Sequence, residues 1–230
     1  MYTLHIANKN YSSWSLRPWV LMRELRIPFT ESLIPFHQAA AWAAYRRIAP
    51  NGKVPCLVDG DITVWESLAI VEYLAERHAG VWPERTDARA WSRSAAAEMH
   101  AGFGQLRSCC SMSCAVRVRL HGHTAGLDAD LQRIASLWND GLGQFGGPFL
   151  AGAAFSAVDA FFAPVVFRIQ TYGLELDPVC QDYIARMLER ESLRSWYEEA
   201  VREPWRDAPH DAEIAQFGAV LQDYRVPVES

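Results

Sequence analysis

Two residue pairs carry the clearest chemistry: Val54-Pro55 and, eleven residues after the proline, Glu66-Ser67. A Val-Pro bond ahead of a strand is a candidate cis peptide, a form that proline alone adopts at small cost. A turn there leaves the N–H and C=O of Val54 free to pair with an extended peptide. Glu66 and Ser67 open an apolar run with helical spacing. A helix N-terminus offers free N–H groups and the positive end of the dipole, which favour a carboxylate. One edge thus supplies strand-like pairing for a small peptide, and the neighbouring helix end seats its α-carboxylate.

A second candidate is the hydroxyl-rich run Tyr11-Ser12-Ser13-Trp14-Ser15, followed by Leu16-Arg17-Pro18-Trp19. Ser15 is the expected N-cap, with Pro18 in the first turn, where its missing N–H costs little. A hydroxyl near that helix start can donate to the sulfur of a bound thiol. Such a bond, with the helix dipole, favours the thiolate, which is the reactive form.

The elements that position these groups alternate short strands with helices over the first 80 residues. Tyr2 to Ile6 and Phe29 to Ile34 read as strands, Leu16 to Leu25 and Ala39 to Ile48 as helices. Cys56-Leu57-Val58 and Ile62-Thr63-Val64 flank the turn Asp59-Gly60-Asp61 as a hairpin, and a helix runs from Ser67 to Arg77. Residues 80–87 read as a linker. Beyond it only helical patterns stand out: 87 to about 120 with interruptions at Gly102 and Gly104, then 131–145, a helix opened by Ser156, and about 192–202. The residues after 203 read as a tail rich in Pro, Asp and Ala. His100, Phe103, Arg107 and Cys110 recur at helical spacing and give one mixed face, which suits either a pocket wall or a core-and-solvent helix.

These residues resemble the cytosolic glutathione transferases, nearest in pattern to the serine-type zeta and theta classes of bacteria. The resemblance implies a thioredoxin-like α/β domain over residues 1–80 and an all-helical domain over 81–230. It implies that Val54, before a cis Pro55, pairs with the cysteine of glutathione, and that Glu66-Ser67 hold the γ-glutamyl end. Lys53, with His37 assisting, is placed toward the glycine carboxylate. Ser-Ser-Trp-Ser is similar to the Ser-Ser-Cys-Ser of the zeta class, whose first serine activates the thiol. Ser12 is therefore the first catalytic candidate, Ser13 the second, and Tyr11 the rival, since other classes use a tyrosine in this loop. Tyr11, Trp14, His100, Phe103 and Arg107 are the candidates for the electrophile pocket.

Gly147 to Gly152 followed by Ser156-Ala157-Val158-Asp159 resembles the family's helix-nucleating motif, which makes Asp159 a structural carboxylate. Two departures from the zeta pattern stand out. Trp14 replaces the loop cysteine, and Thr171 falls where zeta enzymes place a substrate-binding arginine; Arg168, about one turn earlier, is not an obvious substitute. Maleylacetoacetate isomerase activity is thus an alternative, below conjugation of glutathione thiolate to a small electrophile, in the manner of detoxification. A non-catalytic glutathione-transferase-like binding or regulatory module is the other.

Composition bounds the rest. The 230 residues are half hydrophobic, with a net charge of −5 and no basic block, which argues against nucleic acid. No apolar run reaches membrane-spanning length and no secretory segment opens the chain, so the expected setting is cytoplasmic, without a membrane partner. Cys109, Cys110 and Cys114 lack partners at metal-ligand spacing, so no metal is expected and the five cysteines read as reduced thiols. The expected assembly is a homodimer with glutathione as co-substrate.

Overall fold

The structure, a computed structural model, describes residues 1–36 and 41–227. Its first half is a four-stranded mixed sheet in the order β2-β1-β3-β4. Here β1 is Tyr2–Ile6, β2 Phe29–Leu33, β3 Cys56–Asp59 and β4 Ile62–Trp65. β1 runs parallel to β2 and antiparallel to β3, and β3 and β4 form the expected hairpin. Leu4, Ile6 and Leu57 are fully buried, so the alternation of β1 points one face of the sheet into the core. Helices α1 (Ser13–Glu24), α2 (Ala41–Ile48) and α3 (Ser67–Ala75) complete this half. The Val54-Pro55 bond is cis, as the sequence suggests.

The second half is helical: α4 (Thr86–Ala101), α5 (Gly104–Cys109), α6 (Ala125–Phe145), α7 (Ala157–Tyr172), α8 (Pro178–Leu188), α9 (Glu191–Arg202) and α10 (Ala208–Phe217). Nearly every residue of α7 is buried, and its apolar side chains join those of α1 and α4 in one core that spans both halves. Asp159, in the first turn of α7, accepts from the Leu150 and Ser156 N–H groups, both at 3.0 Å, and from the Tyr183 hydroxyl at 3.0 Å. The carboxylate is fully buried, and its work is to tie the 150–156 loop to the helix start.

Three expectations are corrected. The helix expected to run from 87 to about 120 stops at Ala101, because Gly102 is extended and Phe103 is left-handed, with φ 58°. A Cβ at Gly102 would lie 2.8 Å from the Glu98 carbonyl oxygen, so only glycine fits this break. Beyond α5, Val116–Leu120 is a strand, β5, which pairs antiparallel with β6 (Gly218–Asp223). The helical domain therefore carries a two-stranded ribbon, and the tail after 203 is ordered as α10 and β6. At the start of α1 the N-cap is Ser12 rather than Ser15, so Pro18 falls in the second turn.

Candidate functional site

The loop between β1 and α1 is held from several sides, which fixes where its hydroxyls point. The Asn8 carbonyl accepts from the N–H groups of Tyr11 and Ser12, at 3.2 and 2.8 Å. The Asn10 side chain accepts from Ala115 N–H at 2.9 Å and from the Ser113 hydroxyl at 3.2 Å. The Lys9 ammonium is buried between Glu31 and Glu199 and lies over the rings of Trp19 and Trp196. Glu203 accepts from the N–H groups of Lys9 and Asn10. Burial raises that carboxyl to about 7, against the pull of these donors.

On this platform Ser12 caps α1. Its hydroxyl oxygen accepts from Ser15 N–H at 3.3 Å, and its proton lies toward the Ser15 hydroxyl at 2.7 Å. Ser15 Oγ accepts from Ala7 N–H at 3.2 Å. Ser13, also buried, makes no side-chain hydrogen bond among the described residues. The Tyr11 hydroxyl is already engaged: it donates to Asp211 at 3.1 Å and receives Arg225 Nη1 at 2.8 Å. Burial raises its pKa, Arg225 opposes that rise, and Asp211 adds to it.

Tyr11, Ser12, Ser13 and Trp14 form one wall of a cavity of about 360 Å³. The opposite walls come from Arg107, Ser111, Met112 and Arg168, and from His210 and Glu213 of α10. Lys53 and Val54 close the side toward the sheet and also line a smaller cleft of about 150 Å³ with Trp14, Asn51, Pro55 and Glu66. The two spaces therefore meet along the Val54 edge. Val54 lies outside the β3 ladder, and its N–H and C=O have no backbone partner among the described residues.

At the head of α3, Glu66 sits at φ 69° and receives Asn51 Nδ2 at 3.1 Å. Ser67, the first helical residue, is fully buried, and its hydroxyl has no hydrogen-bond partner among the described residues. An orphaned buried hydroxyl is uncommon in native structures and calls for an explanation.

The structure thus brings Tyr11, Ser12, Ser13, Trp14, Lys53, Val54 and Arg107 around one cavity, with Pro55 and Glu66 in the adjoining cleft. His100 and Phe103 are not among the cavity-lining residues. His100 packs edge-on against Trp14, with ring centroids 5.2 Å apart, and Phe103 is buried at the helix break. Burial lowers the His100 pKa, with Arg17 the next cause. His37 lies outside the described residues. Among the described residues no group of three or more His, Cys, Asp or Glu is placed to hold a metal ion. Burial pushes the thiols of Cys56 and Cys110 up to about 11 and 12.

Phe36, Tyr45, Ser111, Met112, Arg168, His210 and Glu213 also line the cavity and were missed by sequence reasoning. The only signal at hand was Arg168, a charged residue in an otherwise apolar helical run.

Comparison with known proteins agrees with this geometry. The family models for the glutathione S-transferase N-terminal and C-terminal domains match residues 11–77 and 122–199. The chain belongs to the glutathione S-transferase superfamily. Among curated relatives, the glutathione S-transferase-like protein OpS6 of Beauveria bassiana is 25% identical over 212 residues, covering 83% of this chain and 92% of that protein. A probable maleylacetoacetate isomerase of Vibrio cholerae is 27% identical over 160 residues, covering 63% of this chain and 71% of that protein. The theta-class glutathione S-transferase of Xanthomonas axonopodis pv. citri, solved with glutathione bound, superposes with a TM-score of 0.64 at 24% identity, covering 85% and 96% of the two chains. No described helix is long and apolar enough to cross a membrane.

Proposed function

We propose that this chain is a glutathione transferase that binds glutathione along the Val54 edge and adds its thiolate to a small electrophile in the larger cavity. The observation that carries this reading is the buried, unpartnered Ser67 hydroxyl at the N-terminus of α3, beside the cleft that Val54 and Glu66 share. A carboxylate there accepts from the hydroxyl and from free helix N–H groups, while Glu66 faces the γ-glutamyl ammonium. Val54 N–H and C=O pair with the cysteine of the peptide, and the Lys53 ammonium attracts the glycine carboxylate. The thiol is then directed from the Val54 edge into the cavity that Ser12 and Ser13 line.

Ser12 is the proposed donor to sulfur. It accepts from Ser15 N–H, and if the Ser15 hydroxyl turns its own proton toward Ser12, the Ser12 proton is released to the ligand. A hydroxyl that accepts two hydrogen bonds is the better donor. Ser13, whose hydroxyl needs no rearrangement, is the rival. Tyr11 is third, because Asp211 and Arg225 already occupy its hydroxyl. We further place the protein in the cytoplasm as a homodimer, with a detoxifying role.

Calorimetry with glutathione and turnover of a generic aryl halide test the reading together. Binding plus turnover supports it. Binding without turnover supports the second reading, a non-catalytic module. Absence of binding removes both. The isomerase reading, for which the Vibrio cholerae relative speaks, requires cis–trans isomerisation of a maleyl-type cis-alkene acid without net loss of glutathione.

A further inference from the structure

Three arginines meet beside the cavity with few acids to answer them. Arg168, on the buried helix α7, is 4% exposed and lines the cavity. Its Nε donates to the Cys110 carbonyl at 2.8 Å, and its buried Nη1 has no hydrogen-bond partner among the described residues. Arg107 lines the same cavity, with Nε donating to the Gly102 carbonyl at 2.9 Å and Nη2 to that of Met99. Arg17 is fully buried behind them, and among the described residues none of its three guanidinium nitrogens has a hydrogen-bond partner. Its guanidinium carbon lies 4.1 Å from the centre of the Trp14 ring, and that of Arg107 lies 4.9 Å from the same ring.

The nearby acids are few and already engaged. Glu213 lines the cavity but accepts from the Ser111 hydroxyl at 2.7 Å. Asp130, which stabilises the charge of Arg107, accepts from Leu106 N–H at 2.9 Å. Neither Arg17 nor Arg168 has an ion-pair partner among the described residues. Leaving a buried cation unpaired is strongly unfavourable, and clustering three cations compounds it. Burial and the Arg107 charge accordingly lower the Arg168 guanidinium to about 10. This arrangement is unexpected in a chain of net charge −5.

We propose that the cavity is an anion site: the electrophile it takes carries a carboxylate, whose oxygens accept from Arg168 and Arg107, with Arg17 behind Trp14 adding to the positive field. This rests on the transferase reading above and narrows its substrate class from small electrophiles to acidic ones. A planar carboxylate matches the guanidinium fork, and once bound it directs the rest of the molecule toward the serine wall.

An acid and its amide separate charge from shape. In 4-chloro-3-nitrobenzoate the glutathione sulfur attacks the carbon bearing chlorine and the C–S bond forms. The C–Cl bond breaks, chloride leaves with the bonding pair, and the thiol proton goes to solvent. The amide, 4-chloro-3-nitrobenzamide, reacts at the same carbon without the charge. After subtraction of the uncatalysed rates, kcat/KM for the acid should exceed that for the amide by on the order of tenfold, the worth of one charge-assisted hydrogen bond. Arg168→Gln and Arg107→Gln should each bring that ratio toward one.

Equal kcat/KM for acid and amide in the parent would overturn the inference, as would a ratio unchanged in both variants. Loss of glutathione affinity in the same variants would also overturn it, by assigning the arginines to a carboxylate of glutathione. A binding measurement frees the test from turnover and from the folding of any variant. The unmodified protein should bind 3-nitrobenzoate about tenfold more tightly than 3-nitrobenzamide. If glutathione itself fails to bind, the transferase reading falls, and this comparison still decides whether the cavity prefers an anion.

Discussion

The two spaces that meet at Val54 are built in opposite ways. The smaller cleft offers backbone groups beside a helix end: Val54 N–H and C=O and, at Glu66, the start of α3, where the buried Ser67 hydroxyl lies just behind the cleft lining. Its side chains Asn51, Lys53 and Glu66 are exposed. The larger cavity offers side chains, several of them buried, drawn from α1, α5, α7 and α10. Backbone recognition depends on the path of the chain and persists when side chains change. Side-chain recognition changes with each substitution. On the proposed reading, the cleft takes the invariant peptide and the cavity sets the specificity for the second substrate.

The scaffold beneath both is the first place to break that comparison, and the effect there should be largest. Asp159→Ala leaves the Leu150 and Ser156 N–H groups and the Tyr183 hydroxyl without their acceptor. Thermal or chemical denaturation should show a loss of about 3 kcal/mol or more. Glutathione affinity per folded molecule should stay as it was. Burial also raises the Asp159 carboxyl to about 6, above the roughly 3.9 of an unfolded chain. The folded state then holds the extra proton between those values, so this residue's contribution is full below about pH 4 and declines as pH rises toward 6. Subtracting the Asp159→Ala stability profile from that of the parent should reveal this slope; its absence would show that these three donors keep the carboxyl ionised.

Ser67→Ala tests the cleft alone. It removes one hydroxyl and leaves the helix end in place, so glutathione affinity should fall by about 1.5–3 kcal/mol in calorimetry. The KM for the electrophile, measured at saturating glutathione, should barely change. A variant that instead altered electrophile selectivity would erase the division between the two spaces.

A smaller effect is expected at the tail. Arg225 joins Tyr11 of the first loop to Asp211 of α10, so one side chain ties the C-terminal segment over the cavity. Arg225→Ala should cost about 1 kcal/mol, the upper end for partly exposed ion pairs. Amide exchange over residues 208–223 should quicken, and the electrophile KM should rise more than the glutathione Kd. No change in exchange would mean that the β5–β6 ribbon alone holds the tail.

The same division explains what the sequence revealed. Val54-Pro55, the hairpin and Glu66-Ser67 lie within about a dozen residues of one another, and each has a local signature. The cavity wall has none, because Ser111, Arg168, His210 and Glu213 become neighbours only once α5, α7 and α10 pack. The strand Val116–Leu120 shows the same limit in a different form. Val116 and Val118 are buried while Arg119 is exposed, a clear alternation with period two. Its partner β6 begins about a hundred residues later, so nothing local marked the segment as half of a ribbon. The break at Gly102-Phe103 was legible as a pair of glycines, but not its consequence, which ends α4 at Ala101 and starts a separate short helix at Gly104.

The central claim is that the loop hydroxyls lower the pKa of a bound thiol, and the thiolate absorbance of the glutathione complex, followed against pH, tests it most directly. A free thiol titrates near 8.5. In the parent complex the bound thiol should titrate below that. Ser12→Ala should raise the value by about one to two units, equivalent to losing roughly 1.4–2.7 kcal/mol of preference for the anion. Glutathione affinity should stay nearly intact, because the ends of the peptide are held elsewhere. Ser13→Ala and Tyr11→Phe should leave the titration in place. A shift confined to Ser13→Ala would move the donor role one residue along the helix. A bound thiol that titrates like free glutathione in the parent and in all three variants would contradict the account, leaving a site that holds the peptide without activating it.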